Sequence, residues 1–187
     1  MNKLKKEIRM GVQPILLIIL SVIIIVAATA VGIQMFSNQS FITNKSAIEA
    51  EAQSYANQIA QYYKTLPLQG DTEELGDNIT ADEIGYLLGW ATRPESAVEK
   101  ETETVTIPSA TSTSNDNGFY KVIVVGSGTE ANVYVLGLGK KEKNKNHPAV
   151  RTAIKLSTGE ISTIVKSVAK STTIETLSAA VFDEEGK

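Results

Sequence analysis

The chain has 187 residues, of which 42% are hydrophobic and 21% charged, with a formal net charge of −3, one histidine and no cysteine. The lack of cysteine excludes disulfides, thiolate catalysis and cysteine-based zinc sites, and a lone histidine excludes a histidine-only metal cluster. The small negative charge gives no reason to expect nucleic-acid binding. The composition indicates one membrane or export segment attached to about one polar domain.

The apolar segment comes first, because residues 12–36 contain no charged side chain. A helix of about 20 apolar residues crosses the hydrocarbon core of a bilayer, so this segment is long enough to do so. Four cations and one acid precede it: Lys3, Lys5, Lys6 and Arg9 against Glu7. Cations favour the cytoplasmic side, so we expect the N-terminus inside and the C-terminal part exported. Pro14 predicts a helix start near residues 12–14, since proline is tolerated in a first turn.

Three interpretations of this N-terminus compete. It is an uncleaved signal anchor, or a Sec signal peptide whose small-x-small site is Ala28-Thr29-Ala30. The third interpretation is a short basic leader that ends at Gly11 and is cut on the cytoplasmic side. In that case the apolar helix stays in the mature protein.

The helical pattern continues beyond the apolar segment, which a cleaved Sec signal does not explain. Apolar residues recur at steps of 4, 3, 4, 3 and 4, namely Ile48, Ala52, Tyr55, Ile59, Tyr62 and Leu66. This spacing predicts an amphipathic helix whose polar face, including Glu51, is solvated. Pro67 disfavours helix in the residue before it. One helix is therefore predicted from about residue 12 to about residue 65.

The remaining residues predict an antiparallel sheet. Thr80 and Glu83 have the spacing of a capping box and start a short helix, and residues 101–118 are an expected exposed loop. Strands are predicted at 119–125, 132–138, 149–156 and 160–166 from β-branched and aromatic content. Short connections require antiparallel pairing, and the amphipathic stripe covers one face of this sheet. We expect His147 on the surface, in a polar loop over 140–148.

No motif predicts an active site. Gly126-x-Gly128-x-x-Ala131 resembles a dinucleotide fingerprint, but a strand follows where that motif needs a helix, so a hairpin turn is favoured. The acidic residues between Asp71 and Glu83 do not match an EF-hand, and calcium binding stays open. We therefore expect no enzyme, no catalytic residue, no cofactor and no metal ligand.

The layout as a whole resembles the type IV pilin and pseudopilin family. At residue level the resemblance rests on residues 5–11, Lys-Lys-Glu-Ile-Arg-Met-Gly, and the apolar run after them. It implies cleavage after Gly11 by a prepilin peptidase and a new, possibly N-methylated N-terminus at Val12. It also implies a filament core built from the apolar helix, with Pro14, Leu16 and Gly32 inside it, and sheet domains outside. The implied partners are copies of this chain, the inner membrane before assembly, the peptidase and an assembly machinery, without nucleic acid.

Three departures from the family indicate a divergent branch. Leu16 stands at the fifth mature position, where a glutamate is usual, Pro14 is atypical, and the usual C-terminal disulfide loop is missing. The expected fold is α+β, divided into a leader (1–11), a filament-core helix (12–36), an amphipathic helix (37–66) and a β domain (67–187). The expected function is a structural subunit of a pilus-like filament, at the cell surface or in the periplasm. The alternative is a signal-anchored or exported envelope domain that binds or senses a ligand.

Overall fold

The computed structural model describes residues 2–65, 79–91, 110–127 and 130–182, with side chains in the first helix described for 14–64. The fold is α+β, as predicted, and divides into two units, Met1–Ser40 and Phe41–Lys187. Its elements are helices α1 (Asn2–Thr65) and α2 (Ala81–Leu87), strands β1 (Ser112–Ser114), β2 (Gly118–Val125), β3 (Asn132–Gly139), β4 (Asn146–Lys155) and β5 (Glu160–Ala169), and a 3-10 helix η1 (Ala179–Phe182). Leu66, Pro67, the acidic residues 71–77 and residues 101–109 lie outside the described residues.

The sheet is a meander of antiparallel neighbours in the order β1-β2-β3-β4-β5. Strands β2 to β5 are the four predicted from sequence, whereas β1 lies in what was predicted to be a loop. The side chain of Asn115 explains this strand. Its Oδ1 accepts from the backbone N–H groups of Asn117 (2.9 Å) and Gly118 (3.0 Å), which closes a turn that returns the chain onto β2.

The predicted loop over 140–148 was too long, because β4 begins at Asn146. Asn144 and Lys145 both adopt positive φ (52° and 64°) and form a two-residue turn between paired backbone groups of Lys143 and Asn146. His147 therefore lies within a strand, opposite Val168, and is half-buried instead of on an open loop.

The second half of α1 packs on one face of the sheet, as predicted. Its buried side chains are Ile48, Ala52, Ala56, Ile59 and Ala60, which meet Tyr120, Val122, Val133, Val135, Val150 and Ile154 of the sheet. Tyr62 was wrongly placed in this stripe, since its side chain is 40% exposed and Tyr63 packs against the core instead. A strict 3-4 alternation has a period of 3.5 residues and drifts by about 20° per heptad from a straight helix of 3.6.

Glu51 was also misplaced, because it is not a solvated residue of the polar helix face. Its carboxylate accepts hydrogen bonds from Asn115 Nδ2 (2.7 Å), Asn117 Nδ2 (2.5 Å) and the Tyr120 hydroxyl. Two turns before it, Asn44 donates to the Asn117 carbonyl (2.7 Å) and accepts from the Lys141 N–H (3.1 Å). These bonds attach α1 to the sheet at the ends of β1, β2 and β3.

The chain after β5 covers the opposite face of the sheet, which the sequence pattern did not predict. Ile174, Leu177 and Phe182 pack there with Leu136, Leu138, Ala149 and Val168. Arg151 is 9% exposed, and its guanidinium lies 5.7 Å from the ring centres of Tyr134 and Phe182. Its Nη1 donates to the carbonyl of Ala179 (2.9 Å), the first residue of η1, and this bond attaches η1 to β4.

Helix α2 has the predicted capping box. The Thr80 hydroxyl accepts from Glu83 N–H (3.2 Å), and the Glu83 carboxylate accepts from Thr80 N–H (3.0 Å). Asp82 Oδ1 accepts from the N–H of Ala110 (2.8 Å). Gly85 permits this approach, because a Cβ there would lie 1.8 Å from the Ala110 carbonyl oxygen.

The glycine motif after β2 is a hairpin turn, as predicted. Strand β3 follows and pairs with β2 from Val125 opposite Asn132. Gly126 has a φ of +98°, a conformation that L side chains rarely adopt. Gly128 lies outside the described residues.

Glu51→Gln is expected to reduce the free energy of unfolding by about 1–3 kcal/mol. The glutamine side chain presents one acceptor oxygen, in place of the two of the carboxylate, to the three donors. Burial raises the pKa of Glu51, but the bonds from Asn115, Tyr120 and Asn117 act against it and hold the pKa below 4.5. The contribution is therefore present above about pH 4.5 and lost as the pH falls through the lowered pKa. Urea unfolding at several pH values measures both effects.

Glu49→Gln is the matched control, since it makes the same change on the same helix outside this network. We expect the two variants to differ at pH 7 and to converge below the lowered pKa. Equal stability of the two variants at pH 7 would contradict the role of Glu51.

Candidate assembly surface

The first unit of the chain carries the candidate functional surface. Within the described residues one helix, Pro14–Lys64, is apolar and long enough to cross a membrane by length and composition. No part of its most apolar stretch is buried in the molecule. The strongly apolar part extends from Pro14 to Phe36, and the first charged residue after it is Lys45.

Large side chains are exposed all round this part of α1. Fifteen of them between Ile15 and Phe36 are 50–78% exposed: Ile15, Leu16, Leu17, Ile18, Ile19, Leu20, Val22, Ile23, Ile24, Ile25, Val26, Val31, Ile33, Met35 and Phe36. Burying one such side chain is worth about 1.5–3 kcal/mol. The whole surface therefore favours an apolar environment over water by tens of kcal/mol.

The helix also satisfies its own hydroxyl groups. Ser21 Oγ donates to the Leu17 carbonyl and Thr29 Oγ1 donates to the Ile25 carbonyl, each at 2.8 Å. A hydroxyl bonded in this way enters lipid or a helix bundle without an unpaired donor. No role for these hydroxyls was predicted from sequence, although a serine or threonine within a helix always has the carbonyl four residues earlier within reach.

The predicted processing residues lie within helical backbone. Gly11 and Val12 are part of α1, and their side-chain surroundings lie outside the described residues. The prediction that the helix starts near Pro14 was wrong, because α1 begins at Asn2 and Pro14 is inside it. The residues before proline continue the helix even though proline contributes no N–H to it.

Leu16 and Gly32, the other predicted core residues, are both on the open surface of the helix. Leu16 is 63% exposed, and no described atom beyond the neighbouring residues and the local helix backbone lies within 4 Å of a Cβ placed on Gly32. Packing inside this chain therefore does not require glycine at that position. A small residue on an exposed apolar helix lets a second helix approach closely.

The described residues contain no group of three or more histidine, cysteine, aspartate or glutamate side chains that could hold a metal ion. Two of the acidic residues considered from sequence, Asp82 and Glu83, bond backbone N–H groups around α2.

Comparisons with protein-family models, with curated proteins and with solved structures find no match for this chain.

Replacing both Ile19 and Ile23 with arginine is expected to lower the fraction of the protein that is retained in membranes. Each arginine at the centre of a spanning helix costs about 2.5–3.5 kcal/mol. The measurement is the fraction of protein that stays in the membrane pellet after alkaline carbonate extraction.

A matched control replaces Ile42 and Tyr62 with arginine. Both residues are also exposed on α1 but lie after the apolar segment that ends at Phe36. We expect the control to remain in the pellet like the wild type. If the pellet retains the same fraction of the Ile19 and Ile23 variant as of the control, the apolar segment is not what holds the protein in the membrane.

Proposed function

We propose that this protein is a structural subunit of a type IV pilus-like filament, assembled through its apolar N-terminal helix after cleavage behind Gly11. The observation that carries the proposal is the difference in burial between the two halves of α1. Residues 48–60 are buried against the chain's own sheet, whereas the fifteen large side chains of residues 15–36 have no cover in the molecule. A filament core built from many such helices supplies that cover.

The position of Pro14 supports removal of the leader. In the full chain this proline lies in the helix interior, where proline is unfavourable by about 3 kcal/mol. After cleavage behind Gly11 it becomes the third residue of the mature helix. The N–H that it lacks would have no helical partner there, so the penalty disappears.

The charges of the leader support the same step. Lys3, Lys5, Lys6 and Arg9 would accompany an uncut helix into an apolar bundle. Each buried and unpaired cation costs several kcal/mol. The leader thus directs insertion with the N-terminus in the cytoplasm and prevents assembly until it is removed.

Subunits of this filament align without the carboxylate that is usual in the family. Leu16 stands at that position and residues 12–36 contain no acid, so no side chain of the core pairs with the new amine of Val12. Close packing around Gly32 and the complementary shapes of the branched side chains set the alignment instead.

This function assigns the protein two locations and no catalytic chemistry. The precursor resides in the inner membrane, and the mature subunit in a filament at the cell surface, or in the periplasm if it acts as a pseudopilin. Its partners are other copies of the chain, a prepilin peptidase and an ATP-driven assembly machinery. It requires no cofactor and no nucleic acid.

Gly11→Leu tests the proposal, because the peptidase site accepts a small residue at the end of the leader. The variant is expected to remain in the membrane at full length, and sheared filament fractions should contain none of it. Immunoblotting of membrane and sheared fractions measures both outcomes.

Met10→Leu is the control, since it introduces leucine one residue earlier and leaves Gly11 intact. It should be cut and assembled like the wild type. Gly11→Leu protein in extracellular fibres, or at the wild-type mass, would refute the proposal, and a full-length wild type would favour a signal-anchored envelope domain.

A further inference from the structure

A cavity of about 340 Å³ lies at one end of the sheet, on the face opposite α1. The beginnings of β2 and β4 and the end of β3 meet there, and residues 172–175 form the remaining wall. Its apolar lining includes Leu138 and Ile174, which are nearly buried, and the Phe119 ring, which is 40% exposed. Small-molecule sites usually have volumes of about 300–1,000 Å³, so this cavity suits a ligand of one or two rings.

The polar lining has opposite charges in balance. Lys140 and Glu175 contribute one cation and one anion. The ammonium of Lys140 is already held, since Nζ lies 5.2 Å from the centre of the Phe119 ring and donates to the Asn115 carbonyl. This balance favours a neutral ligand over an ion.

His147 supplies an unsatisfied group. It lines the cavity, and its Nδ1 is buried without a hydrogen-bond partner among the described residues. A buried polar atom without a partner costs about 1–3 kcal/mol. A ligand hydroxyl, which both donates and accepts, can become that partner once the imidazole turns towards the cavity, because Nδ1 is closed to solvent in this conformation.

We infer that this cavity binds a neutral pyranose unit of a carbohydrate. The lining offers one pure donor (Lys140), one pure acceptor (Glu175) and groups that do both (Thr172, Thr173, His147), which is the mixture that sugar hydroxyls match. The exposed Phe119 ring provides the apolar platform for the C–H face of the sugar. The inference does not depend on the proposed filament, since every group involved lies in the second unit.

The single histidine of the chain makes a direct test possible. The full-length protein, labelled with ¹⁵N and ¹³C in histidine, is placed in dodecylphosphocholine micelles, a detergent without a sugar head group. It is then titrated with methyl α-mannoside, methyl β-galactoside and methyl N-acetyl-β-glucosaminide. We expect at least one of them to shift the His147 imidazole signals in a saturable manner, and sodium acetate and sodium phosphate to leave them unchanged.

Substitutions of lining residues test whether the glycoside binds in this cavity. Phe119→Ala is expected to weaken the binding by about tenfold, from the loss of ring contact. Tyr62→Ala, which removes a ring of equal exposure outside the cavity, should have no effect. Glu175→Ala changes an exposed residue without disturbing the core, so it tests the same cavity if Phe119→Ala fails to fold.

Three results would overturn the inference. The first is the absence of a saturable shift with all three glycosides. The second is an equal shift with acetate or phosphate, which would mean that the cavity takes anions. The third is glycoside binding that Phe119→Ala and Glu175→Ala both leave unchanged.

Discussion

Two parts of helix α1 need different surroundings, and the rest of the structure depends on this constraint. From Ile48 to Ala60 its apolar face is narrow and is covered by the sheet of the same chain. From Ile15 to Phe36 it is apolar all round and has no cover in the molecule. A helix that is apolar on every side requires lipid or other helices around it. The exposed segment is thus the part of the chain that must meet something else.

The second unit is arranged so that its own apolar surface is used internally. One sheet face is closed by α1, and the other by the chain after β5, which Arg151 attaches to β4 through the Ala179 carbonyl. Glu51 and Asn44 add bonds between α1 and the strand ends. Such polar contacts specify where the helix lies on the sheet, whereas apolar packing alone would tolerate small shifts.

Features with a local periodic cause were predictable from sequence. The helix stripe around Ile48 and Ile59, the capping box at Thr80 and Glu83, and strands β2 to β5 all follow from spacing within about ten residues. The bonds to Glu51 and the cover formed by residues 174–182 join parts of the chain far apart in sequence, so no local pattern indicated them. The cavity beside His147 was missed for the same reason. Strand β1 has a local cause, the turn closed by Asn115, which the composition of residues 101–118 did not indicate.

In the proposed filament, the apolar helix forms the mature N-terminus and is the surface through which subunits assemble. Intact-mass and N-terminal analysis of the protein sheared from the cell surface, compared with the membrane pool, tests it most directly. We expect a surface form that begins at Val12, with or without an added methyl group, and a membrane precursor that begins at Met1. A surface form that begins at Met1 or at Val31 would contradict it.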